Sequence, residues 1–436
     1  MSNQIITVKL KLDHTPDQLL AINTLCLSYR DALNYTSNVA FNHNKTANKL
    51  TIQKLTYSDI RSKFKIGSQL ACSISRDVGA KYKQQWTKLK QHLENVKKGY
   101  TKKRYKGLDN PVKFSSRSVT LQHKKDYSFN FNKSTVSIPT LDKRIKLKFY
   151  GWDKHVALLK TSTLGAATLY YQKAKKQYFL CVSIEIQTPD VQLKDLNKVI
   201  GVDLGQRYLA STQSNDNKVR FYSGRFVKHK SNQFSLKRSE LQAKGTRSSI
   251  RKLISMSGRE RRFKQNVNHT LSKNILVDKC IIGLEDLKHI RTRMKRRRGK
   301  NASKKQRIAN ANYSKWAFAE LGTFLEYKTK LQGSLVVKVD AEYTSQGCPK
   351  CGHTSPNNRP KKGLLFKCEC CSYSDHADRV GAINVLMRTT LVRQSLISGG
   401  SLSACLNASG VEAKAERLSA YSELRWSPEA SSQHLC

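Results

Sequence analysis

The sequence predicts a multidomain α/β protein. Alternating apolar residues predict strands in the first half of the chain, where a long helical pattern interrupts them. From residue 198 onward the elements follow the order β-β-β-α-β-α-β, which an RNase H-like domain requires. Two C-x2-C pairs precede the last helix, and their spacing indicates an inserted zinc ribbon.

The charge of the chain is strongly positive. Lys and Arg number 80 against 31 Asp and Glu, which gives a formal net charge of +49. Such self-repulsion favours a polyanionic partner, and phosphate contacts supply most of the sequence-independent affinity for nucleic acid. A surface that is basic only for solubility is the simpler alternative. We expect a protein that binds nucleic acid.

The amino-terminal segment MSNQIITVKLKLDHT alternates polar and apolar residues, which predicts a strand and not a secretory signal. No apolar run approaches the ~20 residues of a membrane helix. Five of the eleven cysteines lie between positions 348 and 371, which favours a metal site in a reducing compartment over disulfides. We therefore expect a soluble, cytoplasmic protein.

The first half of the chain is predicted to hold a β-barrel with a helical insertion. A helix starts at the capping residue Thr15, and helical pattern continues until GYTKKRYKG breaks it. Period-two alternation follows, and YSFNFN places Tyr127, Phe129 and Phe131 on one face. We assign residues 1–14 and 108–196 to the discontinuous barrel and residues 15–107 to the helical domain.

The second half contains the elements of the RNase H-like domain. KVIGVDLG, RYLASTQS and KVRFYSG predict a three-strand meander, and a mostly helical stretch follows it. KCIIGLED and SLVVKVDA predict two further strands on either side of an amphipathic helix. We assign residues 197–342 and 373–390 to this domain, 343–372 to the zinc ribbon, and 391–436, rich in Ser and Ala, to a weakly ordered tail.

Two acidic residues end predicted core strands. Asp203 follows VIGV and Glu285 follows CIIGL, so both carboxylates are expected at one edge of the sheet. Their convergence is costly unless cations neutralise it, and Mg²⁺ prefers carboxylate oxygens. Two such ions can support phosphodiester hydrolysis. The alternative is that each acid caps its strand or pairs with a neighbouring lysine.

A third acid is expected from the helix predicted within HADRVGAINVLMR. Asp378 lies in the first turn of that helix, where its carboxylate would face the strand ends. Asp375 is the alternative, although its earlier position favours a capping or solvent-exposed role. We favour Asp378.

The cysteine pairs are Cys348 with Cys351 and Cys368 with Cys371. Four thiolates at this spacing can close a tetrahedron around one structural Zn²⁺. Cys370 could compete with Cys371, and His353 is a weaker rival.

Three segments are candidates for nucleic-acid contacts. KKGYTKKRYKG combines cations with tyrosines that can stack on bases, RTRMKRRRGK is a basic run after the Glu285 strand, and RERRFKQNVNHT presents a polar helical face. The alternative for the basic run and for the helical face is an ordinary solvated surface. The candidate residues are Tyr100, Lys102, Lys103, Arg104, Tyr105, Arg262, His269, Arg296, Arg297 and Arg298.

With GVDLG, GLEDL, YTSQGCPKCGH and HADRVGAINVL in order, the sequence resembles TnpB, a transposon-encoded RNA-guided nuclease family related to type V CRISPR effectors. The resemblance implies a RuvC-like domain that cuts DNA with Asp203, Glu285 and Asp378. It also implies a guide RNA held by a wedge barrel and a helical recognition domain, and a short target-adjacent motif. Val380 and Gly381 depart from the Asn-Ala that the family commonly shows.

The resemblance predicts an Mg²⁺-dependent, RNA-guided DNA endonuclease. A compact type V CRISPR effector is an alternative with the same chemistry, and a non-cutting RNA-guided repressor or zinc-ribbon DNA binder would not need the three acids. The expected partners are guide RNA and double-stranded target DNA. We expect a monomeric ribonucleoprotein in the prokaryotic cytosol, associated with the nucleoid.

Overall fold

The structure is a computed structural model that describes residues 2–287, 303, 318–360, 364–398 and 411–426. The chain divides into two compact units. The amino-terminal unit comprises Ile5–Ile186, and the carboxy-terminal unit comprises Gln187–Cys436 with Met1–Gln4. No helix of the described residues is long and apolar enough to cross a membrane.

The amino-terminal unit contains a seven-stranded sheet in the order β2-β6-β7-β1-β5-β4-β3. The amino-terminal strand therefore lies inside the sheet formed by the later strands, as its alternation predicted. The strands are β1 (Ser2–Asp13), β2 (Ser118–Leu121), β3 (Ser128–Asn130), β4 (Thr135–Pro139), β5 (Arg144–Tyr150), β6 (Thr163–Gln172) and β7 (Gln177–Thr188). The helices are α1 (Pro16–Asn42), α2 (Lys49–Phe64), α3 (Ser68–Lys97) and α4 (Asp153–Thr161).

The helical insertion and the sheet share one hydrophobic core. Leu10 of β1, Ile22 of α1 and Leu180 of β7 belong to the same buried cluster. Helix α1 begins at the predicted cap, where Thr15 and Gln18 form a reciprocal capping box. The predicted boundary near residue 107 therefore separates two kinds of secondary structure that have a common core.

The carboxy-terminal unit contains a five-stranded sheet in the order β10-β9-β8-β11-β12. Strands β8, β11 and β12 are parallel to one another, and β9 and β10 complete an antiparallel meander. The described elements follow the predicted β-β-β-α-β-α-β order, with three helices in the first helical stretch. They are β8 (Lys198–Asp203), β9 (Tyr208–Ser214), β10 (Val219–Ser223), α5 (Arg225–Lys244), α6 (Arg247–Met256), α7 (Arg259–Ile275), β11 (Cys280–Glu285), α8 (Phe318–Leu331) and β12 (Leu335–Val339).

Helix α9 (Ala377–Ser398) packs directly on the central strands of this sheet. Gly201 of β8 and Gly283 of β11 are paired neighbours. A Cβ atom at Gly201 would overlap the backbone of Leu386, and one at Gly283 would overlap the side chain of Thr389. The two glycines therefore allow the close approach that fixes the start of α9 near the strand ends.

Two smaller elements complete the described part of the carboxy-terminal unit. The hairpin of β13 (Leu365–Lys367) and β14 (Ser374–His376) leads into α9. Helix α10 (Val411–Ser422) lies within the segment that was expected to be weakly ordered. Its sequence VEAKAERLSAYS is rich in helix-forming residues, and its contacts with the rest of the unit explain why the structure differs from that expectation.

Candidate active site

Asp203 and Glu285 are the last residues of two neighbouring parallel strands. The register pairs Val202 with Leu284, so the two acids follow one residue later at the same edge of the sheet. Thr344 donates a hydrogen bond of 2.6 Å from its hydroxyl to Oε1 of Glu285. Both acids thus lie at the strand ends, as the apolar runs before them predicted, and Thr344 holds the carboxylate of Glu285.

Asp378 joins these two acids from the first turn of α9. Its backbone N–H donates to Nδ1 of His376 at 3.2 Å, so the imidazole satisfies one of the free amides at the helix start. A Cβ atom added at Gly381, one turn further on, would lie 3.1 Å from Cγ of Asp203. The first turn of α9 therefore faces Asp203.

Asp375, the alternative third acid, is occupied elsewhere. Its Oδ2 accepts a hydrogen bond of 2.8 Å from the Tyr373 hydroxyl and lies 3.1 Å from Nη1 of Arg379. Its Oδ1 accepts the backbone N–H of His376 at 2.6 Å. This carboxylate stabilises the approach to α9, and Asp378 is the acid that interacts electrostatically with Asp203.

The three acids form a site of unfavourable negative charge. Burial and the nearby carboxylates of Glu285 and Asp378 raise the pKa of Asp203 well above its usual range. Burial also raises the pKa of Glu285, and the hydrogen bond from Thr344 opposes that effect. Buried carboxylates whose negative charges repel one another are chemically suited to bind a divalent cation such as Mg²⁺.

Arg359, which the sequence patterns did not predict, lies beside the acids. Its Nη2 atom is 3.3 Å from Oδ1 of Asp378, and its charge also acts on Asp203 and Glu285. Arg359 belongs to the irregular segment between the two cysteine pairs. No periodic pattern marks this residue. Its position between the two cysteine pairs was the one feature of the sequence that could have suggested a role near the acids.

The departure from the family pattern at Val380 and Gly381 has a local explanation. Val380 is fully buried and packs with Cys348 and Phe366 of the cysteine-rich segment. Gly381 faces Asp203 and leaves space beside its carboxylate. The absent Asn side chain does not leave the helix start uncapped, because His376 accepts the Asp378 N–H.

The sulfur atoms of Cys348, Cys351, Cys368 and Cys371 lie within 4.8 Å of one another. Two of the separations, Cys348 to Cys371 and Cys351 to Cys368, are 3.6 Å. A tetrahedral zinc site with Zn–S bonds of about 2.3 Å needs sulfurs about 3.8 Å apart. Burial raises the pKa of the Cys348 thiol to about 12, so a bound cation would be needed to keep it ionised.

The two rival ligands lie outside this cluster. Cys370 is exposed, and its backbone N–H points to the sulfur of Cys368 at 3.4 Å. His353 lies 3.8 Å from the carboxylate of Glu369 at the surface. The four residues of the two C-x2-C pairs are therefore the ones whose sulfurs converge.

The candidate nucleic-acid residues of the amino-terminal unit have different surroundings. Tyr100 is 37% exposed, and Lys102, Lys103 and Arg104 are exposed as well. Tyr105 is partly buried, and its hydroxyl donates to Gln85 at 2.5 Å. Tyr105 is thus less accessible to a base than its alternation with lysines suggested.

In the carboxy-terminal unit, Arg262 and His269 of α7 are exposed, as predicted from the helical face. The His269 ring stacks on Phe324 of α8 at 4.0 Å between ring centroids. On the opposite face of α7, Leu271 and Ile275 are buried in the core. Arg296, Arg297 and Arg298 lie outside the described residues.

Known proteins that are similar to this chain include TnpB-like and Cas12f1-like proteins, as the sequence motifs predicted. Residues 318–385 match the family model described as Cas12f1-like, TNB domain. The chain is 27% identical over 241 residues to the CRISPR-associated endodeoxyribonuclease Cas12f1 of Sulfoacidibacillus thermotolerans, covering 51% of this chain and 53% of that protein. It is 30% identical over 165 residues to the TnpB-like protein MJ0751 of Methanocaldococcus jannaschii, covering 36% and 55%.

A shorter match is 40% identical over 67 residues to the putative RNA-guided DNA endonuclease InsQ of Escherichia coli, covering 15% of this chain and 16% of that protein. The chain thus spans about half the length of the first two relatives. The structure resembles the protein in a cryo-EM structure of a Cas12f1-sgRNA-target DNA complex, with a TM-score of 0.52, 15% identity and coverage of 84% and 82%. The motifs and these sequence matches together show that the chain is similar to TnpB-like proteins and compact type V effectors.

Proposed function

We propose that the protein is an RNA-guided DNA endonuclease that hydrolyses phosphodiester bonds of target DNA next to a short target-adjacent motif. The observation that carries this proposal is the convergence of Asp203, Glu285 and Asp378 beside Arg359. The names of two relatives, CRISPR-associated endodeoxyribonuclease and putative RNA-guided DNA endonuclease, support the same reaction.

In this proposal the three carboxylates are the ligands of Mg²⁺. Bound Mg²⁺ would stabilise the attacking and leaving oxygens of the hydrolysis. Thr344 holds Glu285 through its hydroxyl, and His376 holds the start of the helix that carries Asp378. Arg359 can bind a phosphate oxygen of the cut strand, because 39% of its side chain is exposed while it contacts Asp378.

The cysteine cluster is assigned one structural Zn²⁺. Four thiolates would fill the coordination shell and leave no position for a reacting water molecule. The cluster packs on Val380 in the first turn of α9, so the zinc ribbon supports both Asp378 and Arg359. Zinc would therefore act on cleavage through the positions of these two residues.

The amino-terminal unit is assigned the binding of guide RNA, with the sheet as the wedge domain and α1 to α3 as the recognition domain. One face of the sheet supports this role. Lys9 lies 4.0 Å from the ring centroid of Phe179 and 5.4 Å from that of Tyr170. Exposed lysines lie farther along the same strand and on the adjacent strand β5, namely Lys11, Lys146 and Lys148. Cations among aromatic rings can combine phosphate contacts with base stacking.

The chemistry can be tested on protein purified together with its RNA. The copurified RNA is sequenced, and a plasmid that matches its guide segment is incubated with wild-type protein or Asp203→Ala. We expect the wild type to cut in Mg²⁺ and not in EDTA, and Asp203→Ala to retain the RNA without cutting. Equal cutting by Asp203→Ala, or none by wild-type protein with verified RNA, would contradict the proposal.

A compact CRISPR effector would perform the same hydrolysis, so the enzyme assay does not separate the two. A repeat array beside the gene would assign the chain to a CRISPR system, and its absence would favour a transposon. A non-cutting repressor would have no need for the three converging acids.

A further inference from the structure

Helix α10 and the residues that follow it contact three parts of the carboxy-terminal unit that border the candidate active site. Arg417 of α10 binds the carboxylate of Asp340, with Nε 2.7 Å from Oδ2. Only 12% of the Arg417 side chain and 18% of the Asp340 side chain are exposed. Lys414 forms a second ion pair with Glu342. These pairs hold α10 on the residues that directly follow β12.

The ion pair between Arg417 and Asp340 lies beside the strand end that carries Glu285. Val339, the last residue of β12, is the parallel neighbour of Glu285 at the end of β11. The backbone N–H of Asp286 donates to the Val339 carbonyl at 2.7 Å. A displacement of Asp340 would therefore be transmitted directly to the strand end that holds Glu285.

Arg388 of α9 connects α10 to the same place. The residue is 7% exposed, and its Nη1 donates to the carbonyl of Asp340. Its guanidinium carbon lies 4.5 Å from the ring centroid of Tyr421 in α10. The charge of Arg388 also acts on Glu285. A buried guanidinium is costly unless it is paired, and the Tyr421 ring supplies a cation–π contact that covers it.

The residues after α10 reach the first cysteine pair. The backbone N–H of Trp426 donates to the Pro349 carbonyl at 2.7 Å. A Cβ atom at Gly352 would overlap the guanidinium of Arg425, so the two residues are in direct contact. This loop belongs to the ribbon that carries Arg359, the partner of Asp378.

We propose that residues 411–426 are an internal brace that positions the active site, with Arg388 and Tyr421 as its central contact. The brace joins the end of β12, helix α9 and the first cysteine loop. It thereby fixes Glu285 and Asp378 relative to each other. Arg388 and Tyr421 are positioning residues in this account, which rests on the proposed nuclease function.

The test compares Tyr421→Ala with Tyr421→Phe, which keeps the aromatic face, and with Ser419→Ala on the exposed side of the same helix. Each full-length protein is loaded with guide RNA. The measurements are the single-turnover cleavage rate, the Mg²⁺ concentration that gives half the maximal rate, and amide hydrogen exchange over residues 340–352. Zinc and RNA content report whether the protein is folded and loaded.

We expect Tyr421→Ala to retain zinc and RNA but to cleave about ten- to a hundredfold more slowly, since small misplacements of reacting groups are costly. It should also need more Mg²⁺ and exchange its 340–352 amides faster, although no charge has been removed. Tyr421→Phe and Ser419→Ala should match the wild type. An unchanged rate and Mg²⁺ requirement in Tyr421→Ala would overturn the brace.

A failure of the proposed function has a different signature. If wild-type protein with verified guide RNA does not cleave, the nuclease assignment fails whatever the variants do. The hydrogen-exchange comparison still applies in that case. Faster exchange over residues 340–352 in Tyr421→Ala would support the brace, and equal exchange would overturn it.

Discussion

Nη2 of Arg359 lies 3.3 Å from Oδ1 of Asp378, which joins the cysteine-rich segment to the third acid of the candidate active site. Arg359 stands between the two cysteine pairs, and Asp378 stands in the first turn of α9. The segment between the cysteine pairs therefore contributes a side chain to the site. This relationship explains why the cysteine cluster lies so near the acids in sequence.

Arg359→Ala should lower the cleavage rate about a hundredfold, because it removes a cation from the place where negative charge develops. Arg359→Lys should recover part of the rate, since lysine keeps the charge and loses the planar fork. Single-turnover cleavage with guide-loaded protein measures both. Cleavage by Arg359→Ala at the wild-type rate would show that the arginine only shields Asp378.

Asp378→Ala should abolish Mg²⁺-dependent cleavage and leave target binding largely intact, since a metal ligand and not a phosphate-binding cation is lost. Asp375→Ala should retain much of the activity, because Asp375 binds Tyr373 and Arg379. Cleavage and gel-shift assays on the two variants decide between the acids. The reverse pattern would assign the catalytic role to Asp375.

Cys348→Ser should remove the zinc, expected at about one ion per chain, and reduce cleavage because Arg359 loses its support. Cys370→Ser is the matched control. Its exposed sulfur lies outside the cluster, so zinc content and cleavage should not change. Elemental analysis of protein purified without chelator measures the zinc content per chain. A full zinc complement in Cys348→Ser would exclude Cys348 as a ligand.

Asp77 of α3 gives a prediction for pH in the amino-terminal unit. Burial raises the pKa of Asp77, whose Oδ2 accepts hydrogen bonds from Tyr29 at 2.9 Å and Thr120 at 2.8 Å. Its contribution to stability is therefore complete below the unfolded-state pKa of about 4 and is lost as the pH rises through the folded-state pKa.

Asp77→Asn should consequently be at least as stable as the wild type at pH 7, with a weaker pH dependence above pH 4. Asp77→Ala should be less stable by about 2 kcal/mol, because two donors lose their acceptor. Hydrogen exchange in α3 across a pH series measures both effects. Loss of stability in Asp77→Asn at pH 7 would mean that the charged form is the one the fold requires.

The sequence predicted the features that depend on local periodicity. Apolar runs that end in Asp203 and Glu285 located two acids, and the apolar positions after Asp378 located α9. Neighbouring strands bring the first two acids together, which is a consequence of parallel register.

The remaining features depend on contacts distant in sequence. Arg359 reaches Asp378 only because the cysteine pairs fold the segment between them, and Tyr105 is partly buried because Gln85 of α3 binds it. Helix α10 was not predicted because Ser and Ala dominate the average composition of its region. Its own residues favour a helix, and its ion pairs with Asp340 and Glu342 hold it in place.

We propose that base pairing by a guide RNA directs the carboxylate site to DNA. The most direct measurement compares protein stripped of RNA with the same protein after addition of its copurifying guide, on DNA with and without the matching sequence. The stripped protein should bind DNA non-specifically, with strong salt dependence, and cut no chosen sequence. The guide should restore cleavage only at matching DNA beside a short motif, whereas site-specific cleavage by verified RNA-free protein at the same rate would contradict the account.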